Sequence, residues 1–563
     1  MTGVTPELLR RVRGRLAATF LTLLALVPVF YIGATVADTS RNIVYWDEFD
    51  TALDLVLALD RGVDGQGFLE RIFAVNNEHR MITSRMLFAW SWWASGTIDF
   101  RVVGLIGNLF LVLLCLLLVR SVGSPERQLR LGVVLAALMF QMGHYENFLW
   151  SGASIDHFQV VLLAVGAILA LARATTGGLA LAGGLALLGT FTLAQGLVIW
   201  PVGAIMLWRD RRMSALWVWL GAAALTALVY AQGFAFNAGH QIADRARVTH
   251  MVLYWLSLLG SPLALGYVKL APYLGVALLA GLAWLGSRGA WRFEPVLLPV
   301  VLFCLGALAL IAYGRAEVGG GQLQSRYAVL AALTWAIALF GAIEYASHPL
   351  RPWRVVMASL PVLAVFNVFA NIRFQPSVES FVEGRDEAAL RYIQHREMGK
   401  SQFRLYPAPP RAEALLRETA QRGLYSLPRL CERVQIKGAQ PSARIAYHID
   451  EVQVDSPGAY ISGWAVIPGE TSRPGEIHLV LRSATTELIL TTVAKTRPDV
   501  VAAHKKPEWR DSGFRFAVSR SRLPPEELQI GVLIKRGDTA EYIMTDHRFR
   551  PFSAGEPLLA NRH

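Results

Sequence analysis

Apolar stretches of roughly twenty residues recur along this chain, and they limit what it can become more than any other feature. The first runs from Leu16 to about Val36. Others follow at about 101–120, 129–143, 156–173, 179–194, 196–210, 215–235, 267–286, 294–313, 327–346 and 354–372. At 1.5 Å per residue, such a stretch crosses about 30 Å of hydrocarbon as a helix. Inside lipid the backbone must satisfy its own polar groups, which leaves the helix as the local solution. The expected fold class is therefore a polytopic α-helical membrane protein with about eleven transmembrane helices. Only 17% of the residues are charged, against roughly 25% in soluble domains, which argues against a globular enzyme.

The charges fall in an order that sets the topology. Arg10, Arg11, Arg13 and Arg15 precede the first apolar run. Ala34-Thr35-Val36-Ala37 is a poor cleavage site, and the run is longer than a signal core, so it reads as an uncleaved first span. Arg120, Arg127 and Arg130, then Arg173, then Arg209, Arg211 and Arg212, then Arg288 and Arg292, then Arg351 and Arg354 fall in alternate short loops. All lie on the side of the N-terminus, which the positive-inside rule makes cytoplasmic. The stretch 247–262, with Gly260-Ser261-Pro262, reads as re-entrant or interfacial, because a full span there would break the alternation. The net charge of +12 thus has a topological reading. No basic face interleaved with aromatics stands out, and nucleic acid is not expected as a partner. The three cysteines, Cys115, Cys304 and Cys431, have no disulfide or metal-ligand spacing.

The opposite loops are 38–100, 143–156, 236–250 and 314–326. The first opens with Tyr45-Trp46-Asp47-Glu48-Phe49-Asp50, three carboxylates in four residues just after an apolar span. Acids there suit the start of a helix through its dipole. A carboxylate held at an apolar boundary also has its pKa raised and can serve as a general base. The same loop carries Asn76-Asn77-Glu78-His79-Arg80, which reads either as a surface ion-pair run or as a polar pocket in which Arg80 grips a phosphate. Thr51–Arg61 and Gly67–Val75 read as short amphipathic helices. Met81–Ser95, with Trp90, Trp92 and Trp93, suits an interfacial one.

The second outward loop holds His144, Glu146, Asn147 and Trp150, then Asp156-His157, in a spacing that matches no strong metal template. Arg315 and Arg326-Tyr327 bracket the glycine-rich segment Ala316–Gln322. Two arginines at the outer ends of spans run against positive-inside. They call for an anionic partner, or they snorkel to lipid headgroups. Lys269 is a weaker candidate of the same kind.

Beyond residue 372 the composition changes. Residues 373–440 are charged and proline-rich, with helices expected at 384–398 and 411–423. Residues 443–552 alternate apolar and polar positions, as in Tyr460-Ile-Ser-Gly-Trp-Ala-Val and Gln529-Ile-Gly-Val-Leu-Ile. That period of two predicts a β-sandwich, placed outside the cytoplasm by the odd number of spans. The expected organisation is a membrane domain over 1–372, a helical linker over 373–440 and an extracytoplasmic β-domain over 441–563.

Across residues 16–372 the pattern resembles the polytopic GT-C-fold glycosyltransferases, which take sugars from polyprenyl-phosphate carriers. Asp47-Glu48, at the start of the first outer loop, is similar to the Asp-Glu pair of protein O-mannosyltransferase-like members. Asn77-Glu78-His79-Arg80, Glu146-Asn147 with Trp150, and Gly314-Arg315 with Ser325-Arg326-Tyr327 look like elements of bacterial envelope members. The β-domain resembles accessory carbohydrate-binding modules at the level of fold class only. The resemblance implies an enzyme of the bacterial inner membrane whose partners are membrane lipids, a polyprenyl-phosphate-linked sugar and a glycan, lipid or protein acceptor. In that reading Asp47 is the base. Glu48 and Asp50 position the acceptor or a divalent cation. Glu78, His79, Arg80, Glu146, Asn147, Lys269, Arg315, Arg326 and Tyr327 contribute to substrate binding. An O-antigen or polysaccharide polymerase or ligase is the alternative, since it needs outward arginines without the acidic pair. A lipid-linked-sugar transporter would place ionisable groups at mid-membrane, often with repeat symmetry, and neither is evident.

Overall fold

The computed structural model describes residues 6–233, 245–289, 291, 295–315, 323–347, 352–455 and 457–551. Ala316–Gln322, Arg292, Arg351 and part of the 236–250 loop lie outside the described residues. The chain forms two units, one of Met1–Arg41 with Asp50–Val378 and one of Asn42–Phe49 with Glu379–His563. Helix makes up 64% of the structure.

The first unit is helical. Among the described residues, six segments are long and apolar enough to cross a membrane: Thr19–Thr39, Phe100–Ser121, Ser151–Ala172, Met213–Ala231, Leu297–Arg315 and Ser325–Tyr345. Thr176–Thr192 and Ala271–Ser287 are apolar but shorter. Six is fewer than the eleven or so stretches read from the sequence, and local punctuation explains part of the difference. The 129–143 stretch becomes Pro125–Met139, which stops at Phe140 before the 3-10 turn Met142–His144. The 196–210 stretch begins with the 3-10 turn Ala194–Val198 and leaves only 11 α-helical residues, Ile199–Arg209. At 1.5 Å each these reach about 17 Å. The doubtful 247–262 stretch is one continuous helix, Arg245–Ala264. The span expected at 354–372 and the helix expected at 384–398 are a single helix, Pro352–His395.

Side-chain caps start several of these elements. The Asp64, Asp99, Ser124 and Thr175 side chains accept from Gly67, Arg101, Arg127 and Gly178 N–H groups, answering donors that a helix start leaves open. The loop 38–100 folds as a π turn Phe49–Leu53 leading into Asp54–Asp60, then Gly65–Ile72 and Ile82–Ser95.

Polar locks hold the helices where apolar packing alone has little direction. Asn367 Nδ2 donates to the Ala137 and Phe140 carbonyls, both at 2.9 Å, and Asn371 Oδ1 accepts from Met142 N. The Asn367 bonds satisfy carbonyls freed where the helix Pro125–Met139 ends, and the Asn371 bond satisfies the Met142 N–H. Glu344 takes Arg127 at 2.9 Å and Arg130 at 2.6 Å near the end of Ala328–Ser347. Met213–Ala231 exposes Trp217, Val218, Leu225 and Leu228, a surface that only an apolar solvent or a partner covers at low cost.

The second unit is β-rich. Its strands are β1 (Arg433–Val434), β2 (Gln440–Pro441), β3 (Ala446–Val454), β4 (Gly458–Val466), β5 (Ile477–Arg482), β6 (Glu487–Thr491), β7 (Val493–Lys495), β8 (Gly513–Ser519), β9 (Leu528–Arg536) and β10 (Thr539–Phe549). One sheet runs β1-β6-β5-β9-β10-β2 and the other β3-β4-β8-β7. Alternation does the sorting. Leu479 and Leu481 join Ile461, Phe514 and Phe516 in one core, while Val480 between them joins Leu533 and Ala540 on the other face.

Two glycines bring Arg245–Ala264 and Ala271–Ser287 into backbone contact. A Cβ on Gly275 would fall on the Leu256 carbonyl, and one on Gly260 on the Ala271 carbonyl. Gly281, in the same helix, faces open space. Gly275→Ala is expected to destabilise the protein by about 1–3 kcal/mol, while Gly281→Ala is neutral or slightly stabilising. Thermal unfolding in detergent checks this, and equal effects at both positions would contradict the packing described.

Candidate functional site

The Asn76–His79 turn is the first component. Its backbone pairs Asn76 with His79 in both directions, N–H to carbonyl, at 2.7 and 2.9 Å. Asn77 sits at φ +52°, a left-handed conformation that asparagine tolerates better than most residues. The turn presents Glu78 to Arg315 at 2.8 Å, while the Tyr230 hydroxyl donates to the Glu78 carbonyl at 2.8 Å. Arg80 turns away. Its guanidinium donates to the carbonyls of Phe73 (2.6 Å), Tyr230 (2.8 Å) and Gln232, so it staples the loop rather than facing an open ligand site.

His79 is buried. Its Nδ1 accepts from Ala194 N–H at 3.2 Å, which puts the imidazole proton on Nε2. Burial, reinforced by the positive charges of Arg315 and Arg326, lowers its pKa from 6.5 to about 3. His79 therefore sits among two arginines as a neutral donor.

The second component is Glu146-Asn147 against Ser325-Arg326-Tyr327. The Ser325 hydroxyl donates to Glu146 at 2.8 Å, Arg326 N–H donates to the same oxygen at 3.2 Å, and the guanidinium reaches Glu146 at 3.3 Å. Asn147 Nδ2 donates to the Arg326 carbonyl at 2.8 Å. The Arg326 guanidinium lies 5.6 Å from the Trp150 ring centre and 5.1 Å from that of Tyr327. The His157 ring meets Tyr327 edge-on at 5.6 Å. His157 belongs to the π turn Ser154–Phe158, which packs against Gly107 where a Cβ would clash with Ser154.

Seven of the sequence candidates thus meet in one polar cluster of the first unit: Glu78, His79, Glu146, Asn147, Arg315, Arg326 and Tyr327. Arg80 is a correction, for the reason given. Lys269 is exposed and takes no part in the Glu78 and Glu146 ion pairs. Asp50 also lies in the first unit. Its charge acts with those of Asp156 and Asp54 on Arg85, whose guanidinium is lowered to about 10 chiefly by burial. Arg85 was missed in the sequence. It donates to the carbonyls of Ile72, Ala74 and Arg80, a cap that no spacing rule reveals. Ser84 donates to Asp156, a buried carboxylate in an apolar helix, which is the kind of residue that marks function in membrane proteins.

Asp47 and Glu48 belong to the second unit. Trp46, at φ +48°, donates its N–H to the Leu405 carbonyl at 2.7 Å. Tyr45 packs edge-on against Phe381 and stacks with Phe403. Glu48 is buried and accepts from Tyr45 N–H at 2.8 Å, so it holds the turn, while Asp47 is half-exposed. Among the described residues, no three His, Cys, Asp or Glu converge as a metal site. Compared with protein-family models, curated proteins and solved structures, the chain matches none.

Two outcomes test this geometry. Because the folded pKa of His79 lies below its unfolded value, the neutral form is the one folding favours. Its contribution is complete above pH 6.5 and is lost as pH falls from 6.5 toward about 3. His79→Asn should flatten that part of the stability–pH curve; an unchanged curve would refute the burial of a neutral imidazole. Glu146→Gln should cost roughly 2 kcal/mol, since it leaves a mostly buried guanidinium without its carboxylate. Adding Arg326→Gln should recover part of the loss in a double-mutant cycle.

Proposed function

We propose that this chain is a glycosyltransferase of the bacterial inner membrane. It moves a sugar from a polyprenyl-phosphate carrier to an envelope glycan, lipid or protein acceptor on the outer face. The observation that carries the reading is the pair of guanidiniums, Arg315 and Arg326. Each is anchored by a carboxylate from a different loop, and both act electrostatically on the neutral His79. They stand at one end of two apolar helical segments, Leu297–Arg315 and Ser325–Tyr345. A lipid phosphate has the matching chemistry, an apolar tail and an anionic head.

The acceptor hydroxyl oxygen attacks the anomeric carbon, and the carbon–oxygen bond to the carrier phosphate breaks. The acceptor proton passes to a loop carboxylate acting as base, and the phosphate leaves with the lipid. One displacement inverts the anomeric centre. Arg315 and Arg326 stabilise the charge that grows on the departing phosphate. Asp47 is the candidate for that base, the role the sequence reading gives it, while Glu48 accepts from the Tyr45 N–H and holds the turn.

The finer architecture belongs to the same proposal: about eleven spans with a cytoplasmic N-terminus, and a periplasmic β-sandwich. Support for the sandwich comes from the core that both sheets share. Asp47→Asn should lower transfer by about 10²–10⁴-fold with expression and folding intact, as loss of a general base does. Full activity in that variant would remove Asp47 from the mechanism. Loss in Arg315→Ala alone would favour a polymerase or ligase.

A further inference from the structure

In the second unit, the helix end Ser380–His395 and the four-stranded sheet enclose an open cleft of about 1140 Å³. Two periodicities build it. On the helix, Ser380, Gly384, Glu387, Arg391 and His395 come round to one stripe. On the sheet, Glu451 and Gln453 of β3, Tyr460 and Ser462 of β4, and Arg515 of β8 share one face. Their register is Gln453 opposite Tyr460, Glu451 opposite Ser462, and Ser462 opposite Arg515.

The floor is locked. Arg391 lies 3.6 Å from the Tyr460 ring centre and donates to Glu387 (2.8 Å), Glu451 (2.9 Å) and Gln453 (3.0 Å). The Tyr460 hydroxyl donates to Glu387 at 3.0 Å, and Arg515 to the Glu383 carbonyl at 3.0 Å. A second set of groups is uncommitted. Among the described residues, Gln453 Nε2, the Gln402 amide, the Lys495 ammonium and the second Glu451 oxygen make no hydrogen bond. Asp455, already accepting from Gln394 at 2.8 Å and lying 3.1 Å from His395 Nδ1, keeps a half-exposed carboxylate at the rim.

We infer that this cleft binds an uncharged oligosaccharide. A hydroxyl both donates and accepts, so a polyol pairs with carboxylates and amide or ammonium donors side by side. Four carboxylates against three permanent cations and His395 turn away a polyanion. The lining is too polar for a lipid tail. Peptide capture by strand addition uses backbone groups along a sheet edge, whereas the uncommitted groups named above belong to side chains. The volume exceeds the ~300–1,000 Å³ usual for small-molecule pockets, which leaves room for several linked rings. This binding is independent of the transfer chemistry proposed above.

The test uses the full-length chain in detergent micelles. The probes are neutral tetrasaccharides of glucose, mannose, galactose and N-acetylglucosamine, with inorganic polyphosphate and a random peptide pool as comparators. At least one neutral tetrasaccharide should bind. Gln453→Ala and Asp455→Ala should each weaken it about tenfold or more, as expected when a hydrogen bond to a charged or oriented partner is lost. Each variant removes an acceptor used by Arg391 or Gln394, so its melting temperature should fall by only about 2–4 °C with the fold retained, and Trp217→Ala, far along the chain in the first unit, should bind as wild type. The inference is overturned if no neutral probe binds, if polyphosphate or peptide binds instead, or if both cleft variants bind as wild type does.

Discussion

Two guanidiniums at the ends of apolar helices set the problem that the first unit solves. A charge near hydrocarbon is expensive unless it is paired, hydrogen-bonded or wet. Arg315 finds Glu78 and Arg326 finds Glu146, from loops some 180–240 residues away in sequence. Those partners in turn need their own loops held still. The Asn76–His79 turn, the Arg80 and Arg85 carbonyl staples and the Ser325 hydroxyl do that work. The loops are shaped around the pairing, which explains why they contain left-handed residues and buried polar side chains where plain connectors would be simpler.

Much of this was legible in the sequence. Arg315 and Arg326 were conspicuous because the expected topology puts them on the side where positive charge is disfavoured, and Glu78 and Glu146 because it puts their loops on that same side. Partner choice was not legible, since nothing in spacing tells which carboxylate meets which arginine. Arg80 was misread for a physical reason: an arginine in a loop grips backbone carbonyls as readily as phosphate, and only tertiary contact decides between them. Helix ends were the other weak point. Hydropathy marks where apolar residues lie, but the 3-10 turns at Met142–His144 and Ala194–Val198 cut two stretches short. The Pro352–His395 helix, conversely, continues past the change in composition at residue 372.

The second unit shows the reverse balance. Its strands follow directly from period-two patterning, so β4, β5 and β9 appear where alternation placed them. Its cleft was invisible. It depends on which face of β3 and β4 the helix end covers, and on the Arg391–Tyr460 stacking that stiffens the floor. The acidic pair Asp47-Glu48 also changed character. From the sequence, Glu48 has a positioning role beside the base Asp47, whereas in the fold the buried Glu48 holds a turn and Asp47 stays half-exposed.

The central claim is that Arg315 and Arg326 form a seat for a lipid-borne phosphate. Binding of a polyprenyl phosphate to the purified chain in lipid nanodiscs tests it most directly, with Arg315→Ala, Arg326→Ala and the exposed Lys269→Ala compared side by side. The account predicts that wild type and Lys269→Ala bind equally, and that each arginine variant loses about tenfold or more, the loss of a charge-assisted contact. Equal binding by all four proteins, or no binding by wild type, would contradict it.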